Sequence, residues 1–261
     1  METAGALKGQ KDMQEVVILM NVEKLFGEIC DWLRKEVLDS GGKGCVYGLS
    51  GGLDSAVVAV ICQKVFARDC LALVMPCHSL PADTEDALNL AKKFQIPARV
   101  VVLDAVYDQF ISALDAAEQR ENTLARANLK PRLRMSTLYY YAASLQYRVI
   151  GTGNKSEISI GYFTKYGDSG VDLEPLGDLL KEDVYALAHY LKVPEEIIKK
   201  SPSGGLWEGQ TDECEMGFTY AELDHYLKGG VVDPAVGKKI SKMEQKSLHK
   251  RKMPPKFTVQ R

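Results

Sequence analysis

Gly48-Leu49-Ser50-Gly51-Gly52-Leu53-Asp54-Ser55 is the stretch that decides the fold of this chain. It lies between Cys45-Val46-Tyr47, an apolar run of the kind that forms a short buried strand, and Ala56-Val57-Val58-Ala59-Val60-Ile61-Cys62, which reads as a buried helix. A strand that turns through glycines into a helix is an anion trap. Gly51 and Gly52 let backbone N–H groups approach an oxyanion with no Cβ in the way, and the helix N-terminus adds unpaired donors and the positive end of its dipole. Ser50 and Ser55 add hydroxyl donors. Asp54 puts a carboxylate where a phosphate would sit, which makes sense only if a cation bridges the two, so the loop points to Mg²⁺ and a nucleotide. A plain strand-to-helix turn needs one Ser or Asp as N-cap, not two glycines, two serines and an aspartate together.

The loop is not a Walker A motif, because no Gly-Lys-Ser/Thr closes it, and it lacks the Gly-x-Gly-x-x-Gly of a Rossmann fingerprint. It resembles the Ser-Gly-Gly-x-Asp-Ser loop of the ATP pyrophosphatases, enzymes that cleave ATP between its α and β phosphates to adenylate a substrate.

Outward from this loop, strands alternate with helices. Val22, Leu25, Phe26, Ile29, Leu33 and Val37 recur at the spacing of one helix face over Asn21 to Leu38, and Gly41-Gly42 ends that helix. Cys70 to Met75, Val100 to Asp104 and Arg148 to Thr152 read as further buried strands, and Asp83 as the cap of a helix carrying Ala87, Leu88, Ala91 and Phe94. The pattern predicts right-handed βαβ units, hence an α/β three-layer sandwich whose mostly parallel, Rossmann-like sheet is flanked by helices. The domain division expected is a flexible N-terminal leader over 1–20 and a single domain over 21–261.

Composition excludes several classes. A net charge of −2 gives no bulk attraction to nucleic acid or to a membrane surface. No apolar run is long enough to span a bilayer. The six cysteines (30, 45, 62, 70, 77 and 214) form no Cys-x-x-Cys pair and sit mostly in apolar runs, as reduced core residues of a cytoplasmic protein do.

In a parallel sheet, ligands bind beyond the carboxyl ends of the strands. The residues there are Ser50 to Ser55, Met75 to Ser79, Asp104, and Thr152 to Glu157. Met75-Pro76 would lie against an adenine. Glu157 alone reads as an N-terminal helix charge, but paired with Asp54 it completes an oxygen site for one Mg²⁺. Phe163 to Asp172 has no apolar periodicity and several polar groups. Ser201 to Gly217, rich in Gly, Ser, Asp and Glu, reads as a mobile lid over the site. Lys238, Lys239, Lys242, Lys246, Lys250, Arg251, Lys252 and Lys256 make the C-terminal end basic.

Taken in order, Gly48 to Ser55, Asn128-x-x-x-Arg132, Gly151-Thr152 with Glu157, Phe163 to Asp172, Leu179-x-Lys181, Lys200-x-Pro202-Ser203 and His249-Lys250-Arg251 resemble the ammonia-dependent NAD synthetases, from about Val22 to Pro255. The resemblance implies the adenine nucleotide alpha hydrolase type of fold and the amidation of deamido-NAD by ATP and ammonia through an acyl adenylate. It implies that Gly48, Leu49, Ser50, Gly51, Gly52, Leu53, Asp54 and Ser55 hold ATP, together with Thr152, Lys181 and Ser203. Asp54 and Glu157 would bind Mg²⁺. Arg132, Lys165, Asp172, His249 and Lys250 would bind deamido-NAD. Asp168 falls beside the ammonia site, and Asp54, Asp168 and Lys181 would carry the catalysis. Ser203 stands where threonine is expected, which keeps the hydroxyl and loses a methyl contact. Family members are homodimers, and free ammonia is the expected nitrogen source.

Overall fold

The structure, a computed structural model, describes residues 2–115, 122–205, 207 and 209–259, with side chains from residue 21 onward. Four strands, β1 (Gly44–Gly48), β2 (Cys70–Val74), β3 (Ala98–Val100) and β4 (Tyr147–Ile150), form one sheet in the order β3-β2-β1-β4. Every pairing is parallel, which matches the expected α/β sandwich.

The strands are apolar throughout because both faces of the sheet are covered. Cys45, Tyr47, Cys70, Ala72, Val74 and Ile150 point to one core. Val46, Leu71, Leu73, Met75 and Val149 point to the other. On the first face lie α1 (Glu2–Asp39), α2 (Leu53–Phe66), α3 (Pro81–Lys93), α7 (Lys181–Tyr190) and α8 (Glu195–Ile198), with Leu33, Ile61, Leu90, Leu187 and Ile197 fully buried. Helix α2 has apolar residues all round because the sheet, α1 and α7 enclose it. The second face is covered by α5 (Thr123–Leu145), through Leu138 and Ala142, with Tyr107 of α4 (Asp104–Asp115) beside it. A third cluster joins α6 (Lys155–Ile160), α9 (Asp212–Met216), α10 (Tyr220–Leu227) and α11 (Pro234–Ser247) around Ile160, Leu223 and Ile240.

Several local expectations shift. The face of α1 over Asn21 to Leu38 holds, with Ile29, Leu33 and Val37 in the core. The helix begins at Glu2, inside the stretch 1–20 expected as a flexible leader, and the side chains of that stretch lie outside the described residues. Asp83 does not cap α3: Leu80 does, because Pro81 already fits the first helical position. Asp83 instead stands in the first turn and pairs with Lys200 at 2.9 Å. The third strand is Ala98–Val100 rather than Val100 to Asp104, because its register is set by pairing Ala72 with Ala98 and Val74 with Val100. The expected lid is partly ordered by α9, and residues 206 and 208 of it lie outside the described residues.

The strand order fixes the site. The chain leaves β1 toward β2 on one side and reaches β4 on the other, so the switch point lies between β1 and β4. The loops after those two strands diverge there and leave a crevice.

Candidate active site

The crevice brings together residues 100 positions or more apart. After β1, Gly51 takes a left-handed φ of 82°, which glycine adopts at little cost. A Cβ there would also collide with the Asp83 carbonyl, so the loop lies directly against the start of α3. The loop is braced from within. Ser55 Oγ donates to the Gly52 carbonyl at 2.9 Å and meets Ser50 Oγ at 3.0 Å, while Gly52 N donates to Ser50 Oγ at 3.2 Å. Ser50 is exposed and Gly52 half-buried at the N-terminus of α2, where no side chain caps the helix. Unpaired donors at that end suit an anion.

After β4, Asn154 caps α6 in a reciprocal capping box with Glu157. The amide of Asn154 also donates to Asp54 Oδ1 at 2.8 Å, locking the first turn of α2 to the start of α6. Asp54 and Glu157 then converge on one cation. Lys181 Nζ lies 2.5 Å from Asp54 Oδ2 and 3.2 Å from Glu157 Oε1, and only 2 % of its side chain is exposed. Burial alone would lower the Lys181 pKa, but the two carboxylates outweigh it and hold the ammonium above its usual value. Burial pushes the Glu157 carboxyl up, and Lys181 opposes that shift.

A second layer holds this trio. Lys181 is the first residue of α7, and its N–H donates to Ser156 Oγ at 3.0 Å. Tyr220 packs its ring 4.8 Å from Lys181 Nζ and donates from its hydroxyl toward Glu157 Oε1 at 3.2 Å and Asp212 Oδ2 at 2.9 Å. Tyr162 OH reaches Asp212 and Glu215, so α9 of the expected lid is tied to the charged centre. The start of that segment is anchored separately, by Lys200 on Asp83 and Asp86 at 2.9 and 2.5 Å.

The cations on the other side of the crevice are held differently. Arg132 donates only weakly, at 3.4 Å, to the Lys165 carbonyl. Lys165 Nζ donates to the His249 carbonyl at 2.9 Å, and Lys250 Nζ to those of Gly161 and Phe163 at 2.8 and 2.7 Å. Asp172 remains exposed, with one oxygen accepting from Val149 N and the other from Tyr139 OH. Asp168 keeps solvent access while protein surrounds it on most sides, as for a group facing into a cleft. That surrounding mass raises its carboxyl pKa, against two backbone N–H groups that lower it. Thr152, Glu157, Asp168 and Ser169 line a cavity of about 50 Å³ at this point. Ser203 is exposed, with Gly205 N donating to its hydroxyl. A larger, open depression lined by Lys93, His189, Pro194 and Glu195 contains none of the motif residues.

The profile of the NAD synthase family matches residues 25–254, nearly the whole chain. The chain belongs to the NAD synthase family. It is 52 % identical over 240 residues, 90 % of this chain and 96 % of the relative, to an NH3-dependent NAD(+) synthetase of Syntrophomonas wolfei. Among solved structures it superposes on an NMN synthetase from Francisella tularensis with a TM-score of 0.87 at 36 % identity, covering 91 % of this chain and 99 % of that one. It matches an NH3-dependent NAD synthetase from Campylobacter jejuni with a TM-score of 0.76 at 32 % identity, with the same coverages. The fold is therefore that of the NAD synthases, as the resemblance of the phosphate loop and the later motifs implied.

In this NAD synthase the structure brings together Asp54, Glu157 and Lys181, three residues the sequence singled out. It adds Asn154, Asp212 and Tyr220, and Glu174, whose Oε2 is buried with no hydrogen-bond partner among the described residues and whose carboxyl burial pushes up to about 8; the sequence reading gave none of the four a role of its own. Asn154 carried a legible signal, Asn-x-x-Glu at a helix start. Tyr220 and Asp212 gave none, because their role depends on α9 and α10 folding back onto α7.

Proposed function

We propose that this chain joins ammonia to the nicotinate carboxylate of deamido-NAD at the expense of ATP, releasing AMP and pyrophosphate. The observation that carries the reading is Lys181 fixed between Asp54 and Glu157 at the switch point, at the mouth of the phosphate loop.

The chemistry follows from what the residues supply. A carboxylate resists amidation because its leaving group would be oxide. Its attack on the α-phosphorus gives an acyl adenylate, from which AMP departs readily. The backbone donors of Gly48 to Ser55 bind the phosphates, with Thr152 and Ser203 adding hydroxyls. Lys181, kept protonated by its two carboxylates, stands as a fixed positive charge where the leaving pyrophosphate becomes more negative. Asp54 and Glu157 are hard oxygen donors suited to Mg²⁺, and among the described residues no third His, Cys, Asp or Glu joins them in a metal-binding group. Mg²⁺ is commonly held by one or two carboxylates with substrate phosphates completing its shell, so the pair fits it. Bound there, the ion would neutralise phosphate charge. Arg132, Lys165, His249 and Lys250 offer cations and a ring to the dinucleotide, with Asp172 as its acceptor. Asp168 receives a proton as ammonia attacks the acyl carbon. By closing over the site, the segment 201–217 would keep water from the acyl adenylate.

Helix α4 supports a homodimer. Val106, Phe110 and Leu114 form a stripe along it, and with Val100 and Val102 they are 47–61 % exposed. An amphipathic helix that buries none of its own residues presents that face to a second copy of the chain. Phe110→Lys is expected to halve the mass seen by sedimentation, and a variant that sediments as wild type would remove this face from the interface. No described helix is long and apolar enough to cross a membrane, and the reduced cysteines suit a cytoplasmic enzyme.

The reading is tested by measuring AMP and pyrophosphate from ATP with and without deamido-NAD, and with ammonium against glutamine. Product is expected only with deamido-NAD present, and NAD only with ammonium. Because one structural relative is named an NMN synthetase, nicotinate mononucleotide belongs in the same assay. AMP formed from neither acceptor would overturn the reading.

A further inference from the structure

The pair of Lys181 and Glu157 spans two separately packed parts of the molecule. Lys181 opens α7, whose Val184, Leu187 and Ala188 belong to the core on the first face of the sheet. Glu157 lies on α6, whose Ile160 belongs to the third cluster with Leu223 of α10 and Ile240 of α11. Packing within either cluster does not by itself fix the 3.2 Å between the two charges. Asn154 ties the start of α6 to α2, and a second polar link ties it to α7.

Asp224 of α10 supplies that link. Its side chain is buried and both of its oxygens are used. Oδ1 accepts from Ser156 Oγ at 2.5 Å, and Oδ2 accepts from Glu182 N at 3.0 Å. The same Ser156 Oγ, also buried, accepts the Lys181 N–H at 3.0 Å. One carboxylate therefore grips the residue before Glu157 and the residue after Lys181, and Ser156 closes the ring between them. Lys228, one turn further along α10, pairs with Glu182 at 2.5 Å rather than with Asp224.

Helix stability alone does not call for this arrangement. The first turn of α7 needs acceptors for its unpaired N–H groups, and a Ser, Thr, Asp or Asn before it would provide one locally. Leu180 stands there and makes no side-chain cap. The acceptors come instead from α6, 25 positions before Lys181, and from α10, 42 positions beyond Glu182. Burying a carboxylate for the purpose is costly, and what it adds over a local cap is a set distance between α6 and α7.

We propose that Asp224, acting through Ser156, is a positioning residue for Lys181. It sets the start of α7 against α6 so that the ammonium stands where the leaving pyrophosphate gathers charge. The inference rests on the role given to Lys181 under Proposed function. An ammonium at the end of a long side chain holds its place only if the backbone beneath it does, and a misplacement of about 1 Å costs about 100-fold in rate.

Asp224→Asn keeps the volume and one acceptor, while Ser156→Ala removes only the hydroxyl. Each is expected to lower kcat for AMP formation about 10–100-fold, with KM for ATP and for deamido-NAD within about threefold. Ser156→Ala, the milder change, carries the test should Asp224→Asn not fold. A double-mutant cycle with Lys181→Met separates positioning from a purely structural role. With Lys181 gone, Ser156→Ala should lower kcat by less than about twofold, because the charge it places is no longer there. A mere anchor of the fold would cut both backgrounds equally. Independently of kinetics, a crystal structure of Ser156→Ala should show Lys181 Nζ displaced from Glu157 by about 1 Å. An unchanged kcat in Ser156→Ala, an equal loss in both backgrounds, or an unmoved Lys181 would overturn the assignment. AMP formed at the wild-type rate by Lys181→Met would overturn the role of that lysine, and this inference with it. If Lys181→Met is slow and Ser156→Ala is not, only the present inference fails.

Discussion

The two sides of the crevice hold charge in opposite ways. On the phosphate side, Lys181, Asp54 and Glu157 are buried or nearly so and neutralise one another at 2.5 and 3.2 Å. On the dinucleotide side, Arg132, Lys165 and Lys250 rest on backbone carbonyls. The first arrangement is part of the fold, since removing one member strands the others away from water. The second is a holding pattern. A carbonyl is a weaker acceptor than a phosphate oxygen, so an arriving anion can replace it with gain. Stability and catalysis are therefore coupled at Lys181 and separable at Arg132.

The sharpest way to break that contrast is Lys181→Met. It should cost about 3–5 kcal/mol of stability, because two carboxylates lose their counterion. AMP formation should drop about 10²–10³-fold with the loss of a fixed charge at the phosphates. Urea unfolding and AMP quantification check both, and a variant that keeps its stability would show the corner is not structural.

Glu174 is the exception on the paired side, and pH exposes it. Its carboxyl is raised in the folded protein, so its contribution is fully present below the ordinary carboxylate range and is lost as pH climbs to about 8. Between about pH 5 and pH 9 the wild type should lose on the order of 2–4 kcal/mol from this group, which Glu174→Gln would not. Urea midpoints of the two proteins across that range should separate in favour of the variant.

On the carbonyl-held side, Arg132→Ala should raise KM for deamido-NAD about 10–100-fold, while unfolding stays within about 0.5 kcal/mol of wild type. A marked loss of stability there would erase the distinction. The smallest effect expected is at Ser203, where Ser203→Thr should lower KM for ATP by about fourfold at most, the worth of one buried methylene.

How far the molecule was legible follows the range of each signal. The phosphate loop and the buried strands were readable because glycine turns and apolar runs are local. Helices α4 and α5 were not. The apolar stripe of α4 faces away from its own core, and α5 interrupts its pattern with Pro131 and with Lys130 and Arg134, charged residues turned inward. Arg134 there braces the loop after β2 through the Met75 carbonyl and Ser79 Oγ, both at 3.1 Å. The placement of β3 was set by its neighbour rather than by its own Val100-Val101-Val102. Asp54 and Glu157 were paired in the sequence reading, but that a lysine 24 positions beyond Glu157 would sit between them depended on α7 docking against α2.

Asp83 joins two parts of the site. Its carbonyl stands so near Gly51 that a Cβ there would collide with it, while its carboxylate pairs with Lys200, just ahead of Ser203. The start of α3 is thus a common abutment for the phosphate loop and for the chain leading out of α8, so a side chain at position 51 would have to shift the same helix end that holds Lys200.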